Sequence, residues 1–214
     1  MEILYLDNKI IVCVKPVGVL STDGPGGMPS LLRAALGDET APVYTVHRLD
    51  AAVSGVMVYA RTRHAAADLG RAIGRGDVRK EYLAVACGGL PEKRGELRDL
   101  LRRDRRLRKT FVAEAPGKDV REARLAYEVR AERAGLSLCR VRLYTGRAHQ
   151  IRAQFAAHGA PLWGDAKYGG GGEGDIALFS CVLAFPHPLT GDAMTFEKKP
   201  PAAYPWTEFP GEVL

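Results

Sequence analysis

The 214-residue sequence has few cysteines and no long apolar run. Its four cysteines stand singly in apolar stretches, with no C-x-x-C pair and no histidine at ligand spacing, so we expect buried thiols. No segment approaches the roughly 18 apolar residues that a spanning helix needs. Met1 leads into an alternating pattern, not into a signal peptide. The sequence therefore predicts a soluble, cytoplasmic protein with no membrane segment and no metal centre.

The positive charge is concentrated in one segment, residues 93–109, here called the basic segment. It holds nine Lys or Arg against three acidic residues, an excess equal to the net charge of +6 of the whole chain. Lys and Arg that neutralise phosphates release condensed counterions, so such a segment attracts a polyanion. The alternative is a solvated helix face with internal ion pairs. Charge alone leaves both interpretations open.

The order of apolar and turn residues predicts an α+β fold with a largely antiparallel sheet, because many strands are joined by short turns. We expect Ser30 and Thr62 to be helix N-caps, and Gly37 and Gly159 to lie just beyond helix ends. The predicted strands are residues 3–6, 9–15, 56–60, 80–87, 123–130 and 136–144, and the predicted helices are 31–36, 64–73 and 148–158.

Two glycine-rich segments, 24–27 and 169–174, require a decision about nucleotide binding. The second formally satisfies G-x-G-x-x-G, whereas the first lacks the Lys-Ser/Thr of a P-loop. In the predicted structure neither follows a strand and opens a helix within a βαβ unit. We therefore expect two loops and no dinucleotide site.

Polar residues that could carry chemistry occur in three places. Residues 47–50 form an ionisable loop directly before a buried strand, and Tyr82 places one aromatic ring on a later strand. Residues 145–152 lie where a strand turns into a helix, and Gly146 allows the backbone to turn there. An exposed first helical turn at this point could receive phosphate or another anion.

Together, six segments resemble the RluA family of RNA pseudouridine synthases over nearly the whole chain. His47 and His149 favour this family over the related RsuA type. The sequence departs from the family pattern at Val53, where Thr is usual, and at Ala51 and Ala52, where polar residues are usual. The six segments are Lys15-Pro16-x-Gly18, His47-Arg48-Leu49-Asp50, Lys80-Glu81-Tyr82, Gly146-Arg147-x-His149-Gln150-Ile151-Arg152, Gly164 to Gly169 and Phe185-Pro186-His187-Pro188.

The resemblance implies a pseudouridine synthase fold, with a largely antiparallel mixed central sheet flanked by helices and loops. It implies isomerisation of uridine in structured RNA, either transfer RNA or large-subunit ribosomal RNA. Because the reaction is redox-neutral, neither a cofactor nor a metal is expected. The chain begins at the catalytic fold, so we expect one catalytic domain over residues 1–214, without an added S4-type RNA-binding domain, acting as a monomer.

The resemblance also assigns three catalytic roles. Asp50 is the catalytic carboxylate, acting as nucleophile at C1′ or by another route. Arg152 is its ion-pair partner and keeps it charged. Tyr82 stacks on the uracil that has been flipped out of the RNA. A further role of Tyr82 in proton removal is left open. Packing alone is the alternative for Tyr82, and a surface ion pair with Arg48 is the alternative for Asp50.

Five further residues are expected to contact the substrate. Arg48 fills the space that the base vacates, Ile151 forms an apolar pocket wall, and Lys15 lies near RNA phosphate. His149 and Gln150 belong to the same group, and the histidines at 47, 149 and 158 are expected to act as hydrogen-bonding scaffold. They are not expected to bind metal, since His149 and His158 fall on different helix faces.

Two other functions remain open from the sequence. One is an RNA-binding protein or chaperone that keeps the fold and the basic segment without catalysis. The other is an Asp-dependent nucleosidase, which would release free uracil.

Overall fold

The computed structural model describes residues 1–211, and the chain divides into two compact units. Unit 1 comprises Met1–Lys80 with Ser180–Lys198, and unit 2 comprises Glu81–Phe179 with Lys199–Leu214. The assignment of residues 1–214 to a single catalytic domain stays a prediction. Among the described residues, no helix combines the length and apolar character needed to cross a membrane.

The elements follow one another in a mostly β order. In the described residues, the α-helices are α1 (Met28–Leu36), α2 (Arg63–Arg75) and α3 (Gln150–Ala157), and Ala166–Tyr168 and Trp206–Glu208 form short 3-10 turns. The strands are β1 (Glu2–Leu6), β2 (Ile10–Lys15), β3 (Tyr44–Thr45), β4 (Ser54–Ala60), β5 (Arg79–Cys87), β6 (Arg94–Asp104), β7 (Lys109–Ala113), β8 (Val120–Arg133), β9 (Leu136–Leu143), β10 (Leu178–Pro186) and β11 (Ala193–Glu197).

In unit 1 the strand order is β1-β2-β4-β10, with β3 beside β4 and β11 beside β10. The pairs β1–β2, β2–β4 and β10–β11 are antiparallel. The first pair is the hairpin predicted from the sequence, and its turn is closed by Asp7 Oδ1, which accepts the Lys9 and Ile10 N–H groups at 2.7 Å each. Apolar residues of β2, β4 and β10 pack with α2 in one core.

In unit 2 the strand order is β5-β9-β8-β6-β7, and the β9–β8, β8–β6 and β6–β7 pairs are antiparallel. Helix α3 packs on this sheet through Phe155, whose ring meets the Tyr127 ring of β8 edge-on at 6.2 Å. Leu101, Ala123 and Ala153 form a second apolar contact between sheet and helix. This contact places the start of α3 beside the β6–β7 hairpin.

Glycine is required at Gly55, the second residue of β4. Its φ is +125°, and a Cβ atom would lie 2.4 Å from the Ser180 carbonyl oxygen of β10. Any larger residue would push these backbones apart, because real Cβ contacts are never so short. The strand that follows the Asp50 loop is therefore fixed closely against β10.

The predicted helix ends are partly confirmed. Thr62 is the N-cap of α2, with its Oγ1 accepting the Ala65 N–H at 3.1 Å, and Gly37 ends α1 in a left-handed conformation. The Ser30 cap is wrong, because α1 begins at Met28 after Gly27. Pro29 suits the first helical turn, where its missing N–H has no intrahelical partner. The segment 24–27 is a loop, as expected, and its last residue Gly27 is the N-cap of α1.

The basic segment is not helical, which corrects one of its two interpretations. Residues 94–104 and 109–113 are the paired strands β6 and β7, with Arg102 opposite Phe111 and Arg103 opposite Thr110. Residues 105–108 form the connecting turn, in which Asp104 Oδ1 accepts the Leu107 N–H at 2.9 Å. We call residues 94–113 the basic hairpin.

Candidate active site

The Asp50 loop is a tight turn closed by backbone hydrogen bonds. The Val53 N–H donates to the Asp50 carbonyl at 3.0 Å, and the Gly18 N–H donates to the Ala51 carbonyl at 2.8 Å. Val53 is 2% exposed, so the residue that replaces the usual Thr is a buried apolar side chain. The turn therefore closes through its backbone without a threonine hydroxyl.

The residue before Asp50 is bound to a second segment of unit 1. Ser21 Oγ donates to the Leu49 carbonyl at 2.8 Å and accepts the Leu49 N–H at 3.0 Å. Both residues are buried, whereas Asp50 is half-buried and Arg48 is exposed. These contacts fix the backbone on both sides of the half-buried Asp50.

Lys15 does not lie where the sequence placed it, beside RNA phosphate. It is 0% exposed, and its Nζ donates to the carbonyl oxygens of Pro16, Val19 and Ala51 at 2.8, 2.7 and 3.0 Å. These bonds use all the ammonium hydrogens. Burial lowers the pKa of Lys15 to about 8, and the charge of Asp50 opposes that shift. The expected phosphate contact is corrected to an internal bond that fixes the Asp50 loop.

His47 is a hydrogen-bonding residue of the scaffold, as predicted. Its Nε2 accepts the Val58 N–H of β4 at 3.1 Å. Burial, together with the positive charge of Lys80, lowers the pKa of His47 to about 3. The ring is therefore neutral at physiological pH, which its role as acceptor requires.

Tyr82 lies in β5 and is 6% exposed. Its neighbour Glu81 is also buried and forms an ion pair with Arg140 of β9, Nε to Oε2 at 2.7 Å. This pair fixes β5 against β9 at the position of the ring. The stacking role of Tyr82 stays a prediction.

Arg152 lies in the first turn of α3 and is buried, with 5% of its surface exposed. Its Nε and Nη2 donate to Oδ2 and Oδ1 of Asp165 at 2.7 and 2.8 Å, a bidentate pair. Its guanidinium carbon lies 5.2 Å from the centre of the Tyr168 ring. The sequence predicted a buried ion-paired arginine but missed Asp165 as a partner. A signal was present, because Asp165 and Tyr168 both belong to segment 164–169, one of the six that resemble the RluA family.

Residues 145–150 form a turn around the buried Gln150, and the burial at the start of α3 corrects one further expectation. Gln150 is 3% exposed, and its Oε1 accepts the Thr145 hydroxyl at 2.8 Å and the Arg147 N–H at 3.0 Å. Its Nε2 donates to the Arg124 carbonyl at 3.1 Å, so its amide binds the turn, and its contact with substrate stays a prediction. Ile151 is 4% exposed, so the first helical turn of α3 is not an open anion site.

His149 directly precedes α3 in a left-handed conformation with φ 54°. Its Nδ1 lies 3.0 Å from the Tyr168 hydroxyl. His158, at the other end of the helix, lies 3.2 Å from Asp99 Oδ1 through its Nε2. Both histidines therefore serve as hydrogen-bonding scaffold. In the part of the chain that the structure describes, no group of three or more His, Cys, Asp or Glu is arranged to bind a metal.

Apart from Arg108 and Lys109, the cations of the basic hairpin and the adjacent Lys93 fall into two groups. Near its open end the cations are neutralised: Lys93 pairs with Glu132, Arg94 with Glu128, and Arg98 with Glu96. The other group, here called the tip arginines, is exposed and forms no ion pair with any residue that the structure describes. The tip arginines are Arg102, Arg103, Arg105 and Arg106. The charge available to a polyanion is thus concentrated at the closed end of the hairpin.

The family model for RNA pseudouridylate synthase matches residues 9–157. That range includes the Asp50 loop, Tyr82, the basic hairpin and Arg152. The match covers more than half of the chain, so it identifies the family.

Curated relatives agree with this match. The dual-specificity RNA pseudouridine synthase RluA of Haemophilus influenzae is 33% identical, with 93% of each chain covered. The uncharacterized RNA pseudouridine synthase YhcT of Bacillus subtilis is 33% identical over 94% of this chain and 69% of its own length. The solved structure of human RNA pseudouridylate synthase domain containing 4 shares the fold, with a TM-score of 0.77 at 20% identity over 94% of this chain and 88% of that one. The predicted α+β fold and the RluA resemblance are confirmed, and the chain belongs to the RNA pseudouridylate synthase family of isomerases.

Proposed function

We propose that the chain isomerises specific uridines of transfer RNA or large-subunit ribosomal RNA, with Asp50 as the catalytic carboxylate. The observation that carries the proposal is the Asp50 loop. Its backbone is bound through Ala51 to Lys15 and Gly18 and through Leu49 to Ser21, whereas Asp50 as a residue is half-buried. A group placed on a rigid turn in this way can meet a substrate without reorganising.

The reaction needs a carboxylate and no redox partner. The C1′–N1 bond of uridine breaks, the uracil turns, and C5 bonds to C1′. C5 then loses its proton while N1 gains one, so atoms and electrons balance without a cofactor. Asp50 would stabilise or trap C1′ when N1 leaves, either as nucleophile or by another route.

Arg152 is proposed as the cation that keeps Asp50 charged. Asp165 uses two of its nitrogens, and a guanidinium carries enough N–H donors to serve a second carboxylate at the same time. The bidentate pair fixes the plane of the guanidinium before any substrate binds. A fixed cation costs less reorganisation during reaction than a mobile one.

Tyr82 and Arg48 are proposed to stabilise the extruded base. Stacking on an aromatic ring recovers roughly 1–3 kcal/mol, comparable with the few kcal/mol that unstacking costs. Arg48 is exposed and directly precedes Leu49 and Asp50, so it can enter the space that the base leaves. Ile151 is proposed as an apolar wall beside the base.

The RNA class rests on the names of relatives. One is called a dual-specificity synthase, and another, from Vibrio vulnificus, is called ribosomal large subunit pseudouridine synthase D. The second name supports ribosomal RNA for this chain. Transfer RNA is proposed beside it on the RluA resemblance, as are a cytoplasmic location and a monomeric state. Mapping pseudouridines across total RNA from cells with and without the chain identifies the RNA and the position.

The test of the proposed chemistry is Asp50→Asn, which removes the charge and nearly conserves the volume. We expect it to abolish pseudouridine formation while RNA affinity and melting temperature stay close to wild type. The control is Asp77→Asn, an exposed carboxylate after α2 that pairs with Arg75. Tritium release from RNA labelled at C5 of uracil measures turnover.

Other outcomes identify other functions. Near-wild-type turnover in Asp50→Asn rules out the assigned role. Free uracil among the products indicates a nucleosidase. A wild-type chain that binds RNA tightly and converts none of the mapped substrates indicates an RNA-binding protein or chaperone.

A further inference from the structure

Tyr168 ends the 3-10 turn Ala166–Tyr168, where three segments of unit 2 meet. Its hydroxyl oxygen accepts the Thr110 N–H of β7 at 2.8 Å and lies 3.0 Å from His149 Nδ1. Burial raises the pKa of Tyr168, so the phenol stays protonated. It can therefore accept one hydrogen bond and donate another at the same time.

The ring of Tyr168 faces two cations. The guanidinium carbon of Arg152 lies 5.2 Å from the ring centre, and Lys109 Nζ lies 4.9 Å from it. A cation within about 6 Å of an aromatic face is attracted by the ring quadrupole. Asp165, three residues earlier, binds the same guanidinium through both carboxylate oxygens. One short segment thus contacts Arg152 in two ways.

The same segment joins Arg152 to the basic hairpin. Thr110 lies opposite Arg103 in the hairpin, and its hydroxyl donates to the Ala148 carbonyl at 2.8 Å, two residues before α3. A displacement of β7 away from Tyr168 by about one ångström would break the bond from Thr110 to Tyr168, because N–H···O bonds lie at about 2.7–3.2 Å. The contact uses a backbone N–H, so it does not depend on the tip arginines.

We propose that Tyr168 is a positioning residue, which orients the guanidinium of Arg152 and transmits to it the position of the basic hairpin. The inference rests on the proposed role of Arg152 as the cation that keeps Asp50 charged. Tyr168 touches no reacting atom in this scheme. It acts through Arg152, with Thr110 and His149 fixing its hydroxyl and Asp165 fixing the other side of the guanidinium.

Two variants separate the hydroxyl from the ring. Tyr168→Phe keeps the ring beside Arg152 and loses both hydroxyl bonds, so we expect the single-turnover rate at saturating RNA to fall roughly threefold to tenfold. Tyr168→Leu also loses the ring, and we expect a fall of roughly a hundredfold. RNA affinity and its salt dependence should stay as in wild type for both variants.

The matched control is Tyr127→Phe. Tyr127 is a buried tyrosine that packs on Phe155 of α3, the helix that carries Arg152. This variant lowers stability if the Tyr127 hydroxyl contributes to folding, but it should leave the single-turnover rate at saturating RNA unchanged. If Tyr168 only stabilised the fold, its variants would behave like Tyr127→Phe. Rates in Tyr168→Leu that equal wild type, after correction for the folded fraction, overturn the proposal.

A second measurement does not depend on turnover. NMR exchange of the Arg152 Nε proton, which is bonded to Asp165, reports how firmly the guanidinium is bound. We expect this exchange to be at least several-fold faster in Tyr168→Leu and unchanged in Tyr127→Phe. If the wild type converts no RNA but exchange is faster in Tyr168→Leu, the positioning role is supported and only the proposed function is refuted. Unchanged exchange in Tyr168→Leu refutes the positioning role.

Discussion

The separation of charge along the basic hairpin gives a quantitative prediction for RNA binding. The tip arginines are exposed and unpaired with any described residue, whereas the cations near the open end share Glu96, Glu128 and Glu132. A cation already paired with a carboxylate must give up that partner to bind phosphate. We therefore expect replacement of the four tip arginines by Gln to weaken the binding of different RNAs to similar extents.

The size of the effect follows from counterion release. Each phosphate contact that is lost reduces the slope of log affinity against log salt by roughly 0.7–0.9. If every tip arginine contacts phosphate, the slope falls by roughly 3. Over a fourfold rise in salt, the wild type should then lose roughly 60-fold more affinity than the variant.

The assay combines affinity at several salt concentrations with single-turnover conversion at saturating RNA. The matched control replaces four paired cations by Gln, and it should change the slope much less for the same formal loss of charge. If both variants change the slope equally, the ion pairs do not determine which cations bind RNA. If the tip variant keeps its slope and loses only its saturated rate, the tip belongs to the active site. The control cations are Lys93, Arg94, Arg98 and Arg124.

Three predictions concern single side chains. Lys15→Met leaves three carbonyl oxygens without their donor, so denaturant unfolding should show a free energy of unfolding lower by roughly 2–4 kcal/mol. If the variant instead reduces the salt dependence of RNA binding, Lys15 does contact phosphate. The pKa of His47 is about 3 in the folded chain against 6.5 when unfolded. As pH falls from 6.5 towards 3, only the unfolded state takes up this proton, so stability should fall by up to about 1.4 kcal/mol per pH unit. His47→Gln should remove that loss in pH-dependent melting, whereas exposed His64→Gln should not. Tyr82→Phe should keep RNA affinity but lower the rate of pseudouridine formation, whereas Tyr82→Ala should lower both. Full activity in Tyr82→Phe would leave only the stacking role.

Much of the fold follows from local sequence. The β1–β2 hairpin was predictable because apolar β-branched residues alternate on both sides of Asp7-Asn8, a turn-forming pair. The cap of α2 was predictable because Thr62 bonds to an N–H only three residues away. The start of α1 was not, because Gly27 is required by the way the preceding loop folds back on itself: a Cβ there would lie 2.3 Å from the Thr22 carbonyl oxygen.

The candidate site was predictable only as a set of motifs. Arg152 could be identified as buried and paired, but its bonds to Asp165 depend on how the chain returns through the 3-10 turn. The burial of Lys15 depends on three carbonyl groups from separate loop positions, which no periodic pattern records. The pairing of Arg94 with Glu128 depends on the register of β6 against β8. Tertiary arrangement decides these points.

The buried ammonium of Lys15 also makes the Asp50 loop open to measurement without RNA. Amine-reactive reagents attack the neutral amine, and in the open, solvated loop Lys15 forms it with the ordinary lysine pKa of about 10.4, as an exposed lysine does. Its complete burial means that the reagent can reach Lys15 only when the loop opens. The labelling rate of Lys15, relative to an exposed lysine such as Lys118, is therefore proportional to the open fraction of the loop. A time course of labelling, followed by the mass of the peptide that contains Lys15, can thus give the local opening free energy of the segment that presents Asp50.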